Sequence, residues 1–319
     1  MARFHYGGQA VMEGVMMRGK HHVAVAVRDP AGKIVTHEEA LSSSIHTHPA
    51  GKWPFIRGIV MLWDTLNLGI RMLLFSANVA LSADEGGEPL DEQIPEGVMW
   101  GFLAVSLGMG VALFFLIPLL LINQVDRYIS SSLLSNIVEG VIRLAMLVGY
   151  LYVIGKWPDI SRVFAYHGAE HKTINAYEAG IPLEPDAVGK HSTAHERCGT
   201  SFLLIVVTLS VVIFSFLGRP PLLLRILSRI VLIPVIAGIS YELLKLSAAH
   251  KGKAWVRALI APSLALQRLS TREPDRGMLE VAIVALKRVQ AADASERALE
   301  TSKGASSLSP GSVGTGGDG

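Results

Sequence analysis

Apolar residues are gathered into a few long runs instead of being spread evenly along the chain. Val98 to Ile122 holds no ionisable side chain over 25 residues, enough for a helix to cross roughly 30 Å of hydrocarbon. Leu133 to Lys156 is a second such run, interrupted by Glu139 and Arg143, which sit four apart, share one helix face and can pair. Ser201 to Leu217 is a third, short and uncharged, and Leu222 to Lys245 a fourth, with Arg225 and Arg229 on one stripe near its start. The Gly218-Arg219-Pro220-Pro221 connection makes a hairpin of the last two. Arg225 and Arg229 are expected to bind lipid phosphates or to snorkel outward.

Ile59 to Leu81 is long and apolar but carries Asp64 and Arg71. Lys and Arg number seven in residues 1–58, five in 156–201 and eleven in 245–319. If residues 59–81 cross, the basic ends fall on opposite sides. If they lie in the interface or dip back, four crossings gather all three basic regions in the cytoplasm, as the positive-inside rule favours. The expected fold is therefore an α-helical integral membrane protein with about four transmembrane helices, plus one amphipathic or re-entrant helix over residues 59–83. Both termini are expected to be cytoplasmic.

Within residues 1–58 a small cytoplasmic β unit is expected. Val23, Val25 and Val27 alternate before Asp29-Pro30-Ala31-Gly32, and Ile34-Val35 follow, which reads as a hairpin. Gln9 to Met17 is a further strand or a glycine-rich loop. Residues 98–156 hold the first two spans, 157–200 a cytoplasmic segment and 201–245 the second hairpin. Residues 246–291 form a cytoplasmic helical segment, in which Leu279, Ile283, Leu286 and Val289 share one stripe. Residues 292–319 are expected to be a disordered tail.

Composition agrees with a bilayer. Half the residues are hydrophobic and 18% are charged, against about 25% in soluble domains. A net charge of +2 argues against a nucleic-acid partner, and Cys198, the only cysteine, excludes an internal disulfide. Residues 1–58 are polar and strand-like, unlike a secretory signal peptide.

The run Asp159 to Gly180 reads as a helix capped by Asp159 and ended by Gly180 and Pro182. Inside it His167-Gly168-Ala169-Glu170-His171 has the H-x-x-E-H pattern, the inverse of the zinc-protease H-E-x-x-H. Two histidines four apart can reach one ion, and Glu170 beside them can act as a general base instead of a ligand. Further ligands are sought in His195 and Cys198, with His191 also nearby, while Glu178 lies too far along the helix. His167, His171, His195 and Cys198 together would make a closed structural site; three of them with an open position would make a catalytic one. The pattern does not choose between these. The bland alternative is a solvated helix face.

Gly7 to Gly19 is a second candidate, with Gln9, Glu13 and Arg18 as polar contacts, although glycines serving turns in a small sheet explain it as well. Glu242, near the end of the last span, is expected to be an acid supporting the site, a ligand or a partner for Lys245. His46 and His48 read as solvated.

Four blocks, GGQAVMEGVMMRG, YHGAEHKTINAYE, HERCGTSF and STREPDRGMLEVAI, are collinear over most of residues 5–290. They resemble the bacterial YqhQ family, a membrane-protein group built on the domain of unknown function numbered 1385. The resemblance implies a bacterial cytoplasmic membrane and draws attention to Gln9, Glu13, Arg18, His167, Glu170, His171, His195 and Cys198 without assigning them roles. Two functions follow as expectations. One is a metal-dependent hydrolase, with Zn²⁺ as the expected divalent metal, acting at the membrane surface on a lipid-linked or membrane-peptide substrate. The other is a non-enzymatic membrane scaffold or assembly factor with a structural His/Cys cluster.

Overall fold

The computed structural model describes residues 5–41, 53, 56–81, 96–250 and 253–306. Four strands, β1 (Gly7–Val11), β2 (Gly14–Arg18), β3 (His22–Arg28) and β4 (Ile34–Ala40), form one antiparallel sheet in that order. Gln9 to Met17 is thus a hairpin, with Val11 opposite Gly14 and Glu13 in the left-handed region at φ 51°. Gly32 takes the left-handed position of the next turn, and the Asp29 carboxylate accepts the Lys33 N–H at 2.7 Å.

The sheet is covered on both faces. Val23, Val25 and Val27 point to one side, where Leu68 and Met72 of α1 (Ile56–Leu81) pack on them. Ala24 and Ala26 point to the other, beneath α5 (Pro158–Ala179) and α10 (Arg276–Ser306). The period-two alternation of β3 therefore feeds two cores, with the small alanines under the helices. The sheet, α5 and α10 form one head.

The remaining helices are mostly apolar. α2 (Glu96–Val111) passes through a π-helical turn, Ala112–Leu116, into α3 (Ile117–Val125); α4 (Ser132–Ile154) returns after a short turn. α6 (Pro185–Val188) is a single turn, followed by α7 (Gly199–Phe216), α8 (Leu222–Ala249) and α9 (Ala254–Ser270). Among the described residues five helices are long and apolar enough to cross a membrane: Ile56–Ala80, Trp100–Tyr128, Ser132–Ile154, Gly199–Phe216 and Leu222–Ser247. The chain is thus a mostly helical protein with a membrane-type helical bundle and an N-terminal four-stranded sheet. Length and apolarity put α1 in the same class as the other four.

The π-helical turn has a local cause. Pro118 has no N–H for the Phe114 carbonyl one turn back, and the freed carbonyl accepts Arg143 Nε at 2.7 Å. Arg143 also pairs with Glu139 at 2.6 Å, as their spacing predicts. Arg225 and Arg229 depart from the expectation that they snorkel outward. Neither reaches outward: both are buried, Arg229 bonding Glu139 at 2.7 Å and Arg225 bonding Asp126 at 2.5 Å. Acids at bundle depth hold them inside.

The expected disorder from about Ala292 is also corrected, since residues 292–306 continue α10. Asp293 is 1% exposed and accepts the backbone N–H groups of Lys20, His21 and His22 at 2.7–3.0 Å. Residues 307–319, His46 and His48 lie outside the described residues.

Candidate metal centre

α5 begins with Trp157 as N-cap and Pro158 at its first position, so Asp159 lies inside the first turn and is not the cap. It ends at Gly180, at φ 74°, as the sequence suggests. His167 and His171 lie one turn apart on this helix, with ring centres 4.3 Å from each other.

Cys198, the N-cap of α7, completes a group. Its Sγ lies 3.2 Å from His167 Nε2, and one ligand atom from each of His167, His171 and Cys198 falls within 4.8 Å of the others. His167 Nδ1 lies 2.8 Å from the Ser270 carbonyl and His171 Nδ1 2.5 Å from that of Thr193. A carbonyl only accepts, so each Nδ1 carries the proton and each Nε2 keeps its lone pair. That tautomer is the one in which outer carbonyls orient metal-binding imidazoles.

The loop before α7 is held from two sides. Asn175 donates to the Ser192 and Ala194 carbonyls at 2.9 and 3.0 Å. Gln267 of α9 accepts the His195 N–H and donates to its carbonyl, both at 2.9 Å. Gly168 matters equally: the Arg272 carbonyl passes where its Cβ would stand, and the same crossing segment brings Ser270 to His167.

Glu170 is 3% exposed, and its Oε2 lies 3.4 Å from His171 Nε2. Burial pushes its carboxyl up to about 7, against the opposing pull of His167, the Gly8 N–H and Arg197. β1 can come this close because Gly8 lacks a side chain: a Cβ there would stand 2.6 Å from Glu170 Cγ.

His195 stands beside the trio, its ring centre 5.5 Å from that of His171. It also lines a polar cavity of about 660 Å³ with Asn175, Glu178, His191 and Arg197. Glu178 closes one edge through Arg197 and through His5 at 3.2 Å. Burial raises the Glu178 carboxyl, but Arg197 and His5 outweigh it and hold it below the usual range.

The other candidates serve elsewhere. Both Glu13 carboxylate oxygens accept from one edge of the Arg162 guanidinium, from Nε at 2.6 Å and Nη2 at 2.5 Å, which anchors its left-handed turn. Arg18 bonds Asp64 of α1 at 2.6 Å, and Gln9 packs over Gly69. Glu242 pairs with Arg57. Backbone carbonyls leave no mark in a sequence, so Ser270 and Thr193 escaped the reading; Gly8 and Gly168 were visible only as glycines.

A model for a protein family of unknown function, DUF1385, matches residues 53–292, most of the chain and all of the cluster. The chain belongs to the DUF1385 family. It is 36% identical over 285 residues to the uncharacterized protein YqhQ of Bacillus subtilis (strain 168), covering 87% of this chain and 90% of that one. No solved structure matches. Neither description names a reaction.

Proposed function

We propose that this DUF1385 protein is a metal-dependent hydrolase of the bacterial cytoplasmic membrane, with its site at the membrane surface on the cytoplasmic side. The observation that carries the reading is the convergence of His167, His171 and Cys198, with both imidazoles tied through Nδ1 to backbone carbonyls. Two neutral imidazoles and one sulfur fit a borderline-soft ion such as Zn²⁺. Three protein ligands, with His195 standing one ring further out, favour the open arrangement over the closed one. A bound divalent ion would supply Lewis acidity there. Glu170, within reach of the same centre, would take a proton from the attacking water and return it to the leaving group. Cys198 and the histidines would hold the centre, and His195 would meet substrate entering from the polar cavity. A site against the membrane suits a lipid-linked or membrane-peptide substrate.

The topology is part of the proposal. In this reading the spans are two helical hairpins, Trp100–Ile154 and Gly199–Ser247, each leaving the head and returning to it. α1 starts after β4 and precedes Trp100, whose indole stacks on Trp63 at 5.4 Å, which supports a first part of α1 and a start of the first span at one level. Its Leu68 and Met72 pack on the sheet, while Ile59, Trp63, Leu66 and Leu73 are 40–52% exposed. Residues 84–97, with six acids and no base, are unsuited to a second crossing. These features support four crossings and an α1 lying in the interface.

A scaffold with a structural cluster is the second reading, favoured by burial: His171 is 1% and Cys198 6% exposed. Glu170→Gln separates the two. An enzyme keeps its metal and loses turnover on lipid-linked or peptide substrates; a scaffold keeps its metal and its cellular activity. A variant that loses its metal contradicts the assignment of Glu170 as a base.

A further inference from the structure

The buried ionic cluster lies at the ends of the apolar helices away from the head, where α3 meets Asp126 and the α7–α8 turn closes. Arg143, Arg225 and Arg229 have side chains 1%, 3% and 0% exposed. Glu139 pairs with all three, and Asp126 pairs with Arg225 and, at 3.7 Å, with Arg219. Four guanidinium groups thus face two carboxylates, leaving two positive charges in excess among the described residues. Uncompensated charge at bundle depth is costly.

Two donors of this cluster are also unspent. Nε of Arg225 is buried without a hydrogen-bond partner, and Nε of Arg219, also buried, has only the 3.7 Å ion pair with Asp126 and no hydrogen bond, although Arg219 otherwise donates to the Ile129 and Ser131 carbonyls at 2.7 Å. Just outside, Arg127 stacks on the ring of Tyr128, which is 73% exposed, as aromatic side chains are at headgroup depth. Arg127 and Arg219 lie opposite the basic head, where the positive-inside rule gives cations no role in orientation.

We infer that this end of the bundle binds a phosphate-type oxyanion at Arg219 and Arg225. An oxyanion supplies the missing charge and acceptors for the idle donors, and guanidinium groups match phosphate geometry. The phosphodiester of an anionic phospholipid and free phosphate share this chemistry.

The test uses the full chain, delipidated in a neutral maltoside detergent, its melting temperature followed with phosphatidylglycerol, phosphatidylcholine or inorganic phosphate. A rise on the order of 5 °C is expected with saturating anion. A rise with phosphatidylglycerol but not with inorganic phosphate assigns the site to a headgroup; a rise with both assigns it to the oxyanion as such. Arg219→Gln should lose most of the rise and Arg219→Lys keep it. Native mass spectrometry of the wild type, counting retained phosphatidylglycerol, gives a readout independent of either variant's folding. Absence of both a thermal shift and retained anion in the wild type overturns the inference, as does an undiminished response in Arg219→Gln.

Discussion

His167 and His171 each commit one ring nitrogen to a backbone carbonyl, and that commitment decides what the other nitrogen can do. The arrangement depends on two glycines as much as on the ligands. Gly168→Ala should push away the segment carrying Ser270, and Gly8→Ala should force Glu170 off β1, each costing about 1–3 kcal/mol, readable by thermal or chemical denaturation. Glu178 gives a pH test. Its folded carboxyl lies below the ordinary range, so its pairing stabilises fully above the unfolded pKa and is lost as pH falls through the folded one. The melting difference between wild type and Glu178→Gln should therefore be largest near neutrality and close below about pH 4. The histidine pair was legible because a spacing of four fixes a shared helix face. The carbonyls that orient it were not, since Ser270 comes from an element 99 residues beyond His171.

Two elements carry the same lesson at larger size. The stripe of Arg225 and Arg229 on α8 was readable, but its direction was not, because the same periodicity serves a lipid face and a bundle interior. Glu139, which holds both inward, lies on α4 and announces nothing about α8. The end of α10 departs from the expected disorder because the glycine- and serine-rich composition belongs to the last residues, whereas Ala292, Ala294 and Ala298 are strong helix formers. Asp293 then fixes that end to the turn between β2 and β3. Asp293→Asn should cost about 1–3 kcal/mol by leaving buried N–H groups poorly paired, and denaturant unfolding would measure it.

For the whole molecule the sheet, α5 and α10 share one core, so the N-terminal and C-terminal parts stand on one side of the bundle. Hydropathy alone could not decide about α1, which is apolar on both faces for different reasons: one packs on the sheet and the other is exposed. Single cysteines at Trp53, Gly97 and Lys190 should react with a membrane-impermeant maleimide from the same side, and Ser130→Cys from the other. Trp53→Cys and Gly97→Cys reacting from opposite sides would mean that α1 crosses. Cys198, buried in the native fold, should stay silent in this assay.

The central claim is that His167, His171 and Cys198 hold a metal ion. Metal content by mass spectrometry on protein purified under metal-replete, chelator-free conditions tests it most directly. About one equivalent of zinc or another divalent metal is expected in the wild type and in Glu170→Gln, falling to background in His171→Ala. Metal-free wild-type protein, or the same metal content in His171→Ala, would contradict the account.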